Sequence, residues 1–89
     1  MIITDNQLEQ IKKIEGSTRK EAMQQVSNII QAEIYDQFRM SGTSKCLRIN
    51  EYIIDITTKK IKNGNIVIRE IDVINEKNIK DWTIYDGIN

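Results

Sequence analysis

The sequence predicts an α+β domain in which two N-terminal helices pack on an antiparallel sheet. Apolar residues recur at helical spacing up to about residue 40, and they alternate as in strands from about residue 45. Asn63-Gly64 is a strong signal for a β-hairpin. We expect helices at about 5–15 and 19–40 and three to four strands, at about 46–49, 52–61, 66–74 and 79–86. At 89 residues the chain has room for one domain, 1–89.

Each predicted helix begins at a capping box. Thr4 and Gln7 form the first, and Gly16 is expected to end that helix in a left-handed conformation. Thr18 and Glu21 form the second. The apolar positions that follow are Ala22, Met23, Val26, Ile29, Ile30, Ile34 and Phe38. They predict a helix about 30 Å long, whose end projects beyond the sheet before a loop at 41–44.

The hairpin sets the register of the predicted sheet. A two-residue type I′ turn pairs Lys62 with Asn65, so one face becomes apolar and packs on the helices. On this face Ile56 lies opposite Ile71, and Ile54 opposite Val73. A turn at 75–78 then places Trp82 beside Ile71 and Ile84 beside Arg69, also facing the core. Asn50-Glu51 is predicted to be either a turn or a bulge.

Composition excludes several kinds of chemistry. The 89 residues include no histidine and one cysteine, Cys46, so His-based catalysis, His-metal sites and intrachain disulfides are ruled out. No glycine-rich phosphate-binding loop occurs, and no catalytic residue, metal ligand or cofactor is predicted. Lys plus Arg equals Asp plus Glu, at 13 each, so no net charge recruits nucleic acid. The lone cysteine and the absence of a signal peptide predict a cytoplasmic protein without membrane contact.

The other face of the predicted sheet is acidic. The same register aligns Asp55, Asp72 and Asp81 across three strands, with Glu70 nearby. Like charges opposite each other are destabilising, so the row needs a reason. A basic surface on a partner protein, a divalent cation, and a register error or simple solvation are the three explanations. Tyr85 is predicted on this acidic face, either as an aromatic anchor for a partner or as a half-buried residue that covers a sheet edge.

The acids also suggest an enzymatic alternative. Asp55 on one strand and Glu70-Ile71-Asp72 on the next are similar in outline to the restriction-type nuclease core. That core pairs an acid with an acid-x-Lys motif, whereas Asp72 stands here at the lysine position and no proline precedes Asp55. The resemblance implies a small metal-dependent nuclease-like enzyme.

The hairpin tip is basic and supports a further alternative. Lys59, Lys60 and Lys62 surround the turn, and a basic ribbon can contact phosphates in a nucleic-acid-binding module. Alternatively, the tip is simply solvated and its lysines discourage edge-to-edge sheet pairing. The leading hypothesis is instead a non-enzymatic protein-interaction module, such as an inhibitor or an immunity or anti-defence protein of a phage or mobile element. Its acidic sheet face would bind another protein, and a homodimer stays open as an alternative.

Overall fold

A computed structural model describes residues 2–39, 42–77 and 80–87, and it confirms the α+β class. The elements are α1 (Asp5–Lys12), β1 (Glu15–Gly16), α2 (Arg19–Ile30), β2 (Glu33–Arg39), β3 (Gly42–Ile49), β4 (Tyr52–Lys60), β5 (Ile66–Asn75) and β6 (Lys80–Asp86). Within these described residues the sheet has six antiparallel strands, more than predicted, and five of them follow the order β1-β5-β4-β3-β2. β6 also pairs with β5, next to β1 along the same strand.

Both helices begin where the capping residues predicted. Thr4 and Gln7 exchange hydrogen bonds of 2.9 and 3.1 Å in a complete capping box, and the Thr18 hydroxyl accepts from the Glu21 amide. The role predicted for Gly16 is wrong, because α1 ends at Lys12 and Gly16 lies in β1 without a positive φ. A Cβ at Gly16 would lie 3.3 Å from the Ala22 amide nitrogen, so this glycine allows β1 to approach α2 closely.

The second helix is much shorter than the predicted 19–40. It ends at Ile30, where Gln31 takes a left-handed conformation with φ 56°, and the chain continues as β2. Ile30, Ile34 and Phe38 are four residues apart, which suits one face of a helix and, as an even number, one face of a strand. The predicted loop at 41–44 is likewise partly strand, since β3 begins at Gly42, while residues 40–41 lie outside the described part.

The hairpin at Asn63-Gly64 is present, but its turn is not the predicted two-residue type. The Gly64 amide donates to the Ile61 carbonyl at 2.9 Å, the Ile61 amide donates to the Asn65 carbonyl at 2.9 Å, and Gly64 has φ 88°. This is a longer turn with a left-handed glycine, so the pairing of Lys62 with Asn65 is wrong.

A β-bulge restores the predicted register farther along the same two strands. The register shifts by one residue between Thr57 and Thr58, where Arg69 is the extra residue of β5. Without it, the side-chain alternation of β5 would carry Arg69 inward and Ile68 outward. Ile68 is instead buried, at 5% exposure. The predicted pairs Ile54–Val73, Asp55–Asp72 and Ile56–Ile71 are thereby confirmed.

One face of the sheet packs against both helices. Buried residues of α1 and α2 meet the inward side chains of the strands in a single cluster. Its sheet members are Leu47, Ile54, Ile56, Ile68, Ile71 and Val73. We call the covered face the helix side and the opposite one the outer face.

Asn50-Glu51 is a two-residue turn between β3 and β4, with Asn50 at φ 52°. Of the two predicted alternatives, a turn or a bulge, the turn is therefore observed.

Candidate protein-binding surface

Four carboxylates lie across three strands of the outer face. Asp55 on β4 is directly opposite Asp72 on β5, and Glu70, two residues before Asp72, is opposite Asp86 on β6. The Thr83 hydroxyl on β6 donates a hydrogen bond of 2.7 Å to Asp72. We name Asp55, Glu70, Asp72 and Asp86 the acidic strip. Three of its members were predicted from the sequence, and Asp86 was missed.

The carboxylates of the acidic strip repel one another in the folded chain. The pKa of Glu70 is raised above its ordinary 4.5, first by its hydrogen bond to Asp72 and by the charge of that residue, with burial and Asp86 adding to the effect. Arg69 opposes the rise. A positively charged surface approaching the outer face would relieve this repulsion.

Two of the predicted partner-binding residues lie elsewhere. The register of β6 is displaced by two residues, so Asp81 pairs with Ile74 and Thr83 takes the predicted place of Asp81 opposite Asp72. The side chain of Asp81 is outside the described part of the structure. The prediction for Tyr85 is corrected as well.

A bulge in β6 moves Tyr85 to the helix side. The register shifts between Ile71 and Asp72, leaving Ile84 as the extra residue, and Tyr85 therefore pairs with Ile71 in the core. The Lys12 ammonium lies 5.6 Å from the centroid of the Tyr85 ring. Tyr85 also packs against the core cluster, so it is not part of the acidic face. The pairs predicted for Trp82 and Ile84 were also wrong: the two-residue displacement pairs Trp82 with Val73, and Ile84 is the extra residue of the bulge.

An aromatic groove opens on the helix side, next to β6. It has a volume of about 800 Å³. Its apolar lining consists of Ile2, Leu8, Ile49, Tyr52, Trp82 and Ile84. Trp82 was predicted in the core but is 40% exposed, the one large hydrophobic residue so exposed in the described ranges. The rings of Tyr52 and Trp82 pack edge to face, with centroids 6.2 Å apart and planes at 83°.

Strand β6 forms the border between the groove and the acidic strip. Trp82 and Thr83 line the groove, and they also line a smaller hollow of about 300 Å³ on the outer face. The other residues of this hollow are Asp55, Asp72 and Ile74. The molecule therefore presents an apolar, aromatic surface and an acidic surface on the two sides of one strand. The register slip and the bulge that create this border leave no local signal in the sequence.

On the rest of the outer face, neighbouring side chains contact one another and cover the strands. The Arg48 guanidinium lies 5.4 Å from the centroid of the Tyr35 ring and forms an ion pair with Glu76. Cys46 is fully buried, with its sulfur 2.9 Å from the Gln37 side-chain oxygen. The Tyr35 hydroxyl is buried without a hydrogen-bond partner in the described residues, and burial is the first cause of its raised pKa. Cys46 is thus shielded from reagents, as expected for a small packed residue.

The three lysines of the hairpin tip are exposed but do not form one patch. Lys59 pairs with Val67 and Lys60 with Ile66, so the two side chains leave opposite faces of the ribbon, and Lys62 lies in the turn. Asn65 donates a 3.0 Å hydrogen bond to the Glu15 carboxylate, which ties the tip to β1.

Neither a metal centre nor a membrane span is found in the described ranges. No three or more Asp, Glu, Cys or His side chains there are grouped so as to hold a metal ion, the acidic strip included. No described helix has the length and apolar character needed to cross a membrane. Comparison with protein-family models, with curated proteins and with solved structures finds no match to this chain.

Proposed function

We propose that this chain is a non-enzymatic protein-binding module that contacts its partner along strand β6. The observation that carries the proposal is the exposure of Trp82 beside the aromatic groove. Trp82 is 40% exposed although it lies opposite the buried Val73. Tryptophan and tyrosine are the residues most enriched among those that dominate binding energy at protein interfaces. Here a tryptophan and a tyrosine border one open groove of about 800 Å³.

The acidic strip indicates the charge of that partner. Asp55 and Asp72 border the second hollow, on the other side of Trp82 and Thr83. A partner that covers Trp82 and extends onto the outer face would meet these two carboxylates, with Glu70 beside Asp72. A basic surface would relieve their mutual repulsion and would be steered towards them during the encounter.

Within this function we propose the narrower class of inhibitor, immunity or anti-defence protein, acting in the cytoplasm. Proteins of this class act by covering a site on another protein, and they need no catalytic residues of their own. The chain has a single cysteine, Cys46, which is fully buried, and a small domain without an intrachain disulfide favours a reducing compartment.

Affinity capture with matched variants tests the proposal. The immobilised chain is incubated with extract of its native host, and bound proteins are quantified by mass spectrometry. Trp82→Ala should reduce capture of a specific partner by roughly 30-fold, the effect of losing a residue that contributes about 2 kcal/mol. Lys62→Ala, at the exposed tip, is the matched control and should capture the same protein as the wild type.

Two results would contradict the proposal. One is the absence of any protein retained by the wild type and lost by Trp82→Ala. The other is equal capture by Trp82→Ala and Lys62→Ala. Urea unfolding of each variant must show that the loss of capture is not a loss of folding.

The exposed lysines support nucleic-acid binding as a second candidate function. Lys59, Lys60 and Lys62 are all exposed at one end of the molecule. If they bind phosphates, affinity for DNA or RNA should fall steeply with salt, and the slope should decrease when the three are replaced by alanine. Absence of binding at low salt would remove this candidate.

A further inference from the structure

We infer that the free edge of β6 binds an extended strand of the partner in which apolar and basic side chains alternate. This inference rests on the proposed protein-binding function and specifies the chemistry of the partner. It combines three features of the structure: an unpaired strand edge, an apolar groove on one side of that edge, and an acidic hollow on the other.

The first feature is the edge itself. β6 pairs with β5 from Glu70–Asp86 to Asn75–Lys80, and no strand in the described ranges pairs with its opposite edge. Backbone amide and carbonyl groups on an open edge can pair with an incoming strand. The bulge at Ile84 interrupts this edge, so the regular stretch is Lys80–Thr83, about 14 Å at 3.4 Å per residue.

The other two features, the groove and the hollow, make the two sides of this edge differ in chemistry. A strand added to β6 would direct successive side chains to opposite faces of the sheet. Side chains on the helix side would enter the aromatic groove beside Trp82 and Tyr52. A long side chain on the outer face would extend over Thr83 towards Asp72, which lies on the neighbouring strand β5 and lines the hollow. The groove is lined mainly by apolar residues, with Asp5 at its polar part, and favours apolar side chains, whereas the acidic hollow favours cationic ones. Together they define an alternating strand.

The opposite edge of the sheet does not offer this combination. β2 is also an edge strand, but its helix side adjoins a hollow of about 390 Å³ that contains Arg19, Lys20 and Lys45. Lys45 forms an ion pair with Asp36 of β2 itself. An apolar and basic strand would meet cations there, so charge complementarity selects β6.

The inference can be tested with synthetic peptides and the fluorescence of Trp82, the single tryptophan of the chain. The probe is a capped peptide of alternating lysine and valine. Its controls are a peptide of the same composition with the lysines and valines in two blocks, and the alternating peptide with its pairing-edge amides N-methylated. Only the unmodified alternating peptide can both pair with β6 and match its two sides.

We expect the alternating peptide to change the Trp82 emission saturably and to bind at least tenfold more tightly than either control peptide. Asp72→Lys should weaken its binding at least tenfold, because a carboxylate of the hollow becomes a cation. Asp36→Lys, the same charge change on the opposite edge strand β2, should leave the binding unchanged. Equal affinity for the alternating and blocked peptides would overturn the inference, since charge attraction alone would then suffice.

Equal affinity for the N-methylated peptide would also overturn it, because backbone pairing would be unnecessary. Concentration-dependent dimerisation of the chain that competes with the peptide would replace the proposed partner with a second copy and likewise overturn it. The failure of this inference is distinguishable from that of the proposed function. If capture of a protein still depends on Trp82 while the peptides fail, the chain binds a protein by another mode.

Discussion

Replacing Asp72 with asparagine is expected to stabilise the folded chain, although the residue lies within a hydrogen-bonded sheet. Asp72 is directly opposite Asp55, and side chains in this arrangement have Cβ atoms about 5 Å apart. Two unit charges at about 5 Å repel by about 0.8 kcal/mol in water, and 0.1 M salt reduces this to about 0.5 kcal/mol. Asparagine keeps the oxygen that accepts the 2.7 Å hydrogen bond from Thr83. A gain of about 0.5 kcal/mol raises the melting temperature of a domain this size by roughly 2–4 °C.

Thermal and urea unfolding at two salt concentrations are the assay. The gain should nearly vanish at 1 M NaCl, where charges are screened beyond about 3 Å. Asp36→Asn is the matched control, because Asp36 is exposed and forms an ion pair with Lys45. It should lower stability slightly, by at most about 1 kcal/mol, so the two substitutions should act in opposite directions.

The pH dependence gives a further check on Asp72→Asn. The raised pKa of Glu70 means that the folded state takes up a proton more readily than the unfolded state. As pH falls through that raised value towards 4.5, protonation of Glu70 relieves the wild type of part of its repulsion. The gain in stability of Asp72→Asn over the wild type should therefore become smaller as the pH falls. Destabilisation by more than about 1 kcal/mol at both salt concentrations would refute the view that the strip is repulsive.

Three other substitutions probe the turn, the outer face and the core. Gly64→Ala should cost about 1 kcal/mol, because Gly64 has φ 88°, and Gly64→Asn should cost less. Equal losses in thermal unfolding would contradict the left-handed turn. Tyr35→Phe should leave the urea midpoint unchanged or raise stability by up to about 1 kcal/mol, since no described residue forms a hydrogen bond with its buried hydroxyl. A larger loss would reveal a bond made by that hydroxyl. Ile54→Ala should cost about 2–5 kcal/mol and Ile54→Val about 0.5–1.5 kcal/mol, because Ile54 is fully buried. Similar losses in urea unfolding would argue against close packing there.

The features that the sequence predicted well are those determined by neighbouring residues. The capping box needs only Thr4 and Gln7, which are three positions apart, and it is observed in full. The pairing of Asp55 with Asp72 follows from the apolar alternation of two strands joined by one short turn. The sequence therefore predicts not only that Asp55 and Asp72 belong to the acidic strip but also that they lie opposite each other.

The features that the sequence missed depend on tertiary structure. Ile34 continues the helical spacing of α2, and only its pairing opposite Leu47 shows that it belongs to a strand. The exposure of Trp82 depends on how far the helices reach. α1 has eight residues and spans about 12 Å, whereas β5 has ten residues and spans about 34 Å. The sequence around residue 82 contains no pattern that indicates this difference in length between α1 and β5.

The bulge at Arg69 has a consequence for the composition of the outer face. If the hairpin formed an uninterrupted ladder, alternation would turn Ile66 and Ile68 outward and carry Arg69 towards the helices. The same residues thus encode two different outer faces, and the burial of Ile68 at 5% exposure selects one of them. Arg69 consequently stays beside Glu70, where it offsets part of the negative charge. A substitution at a buried residue such as Ile68 that removed the bulge would therefore change which side chains lie on the outer face.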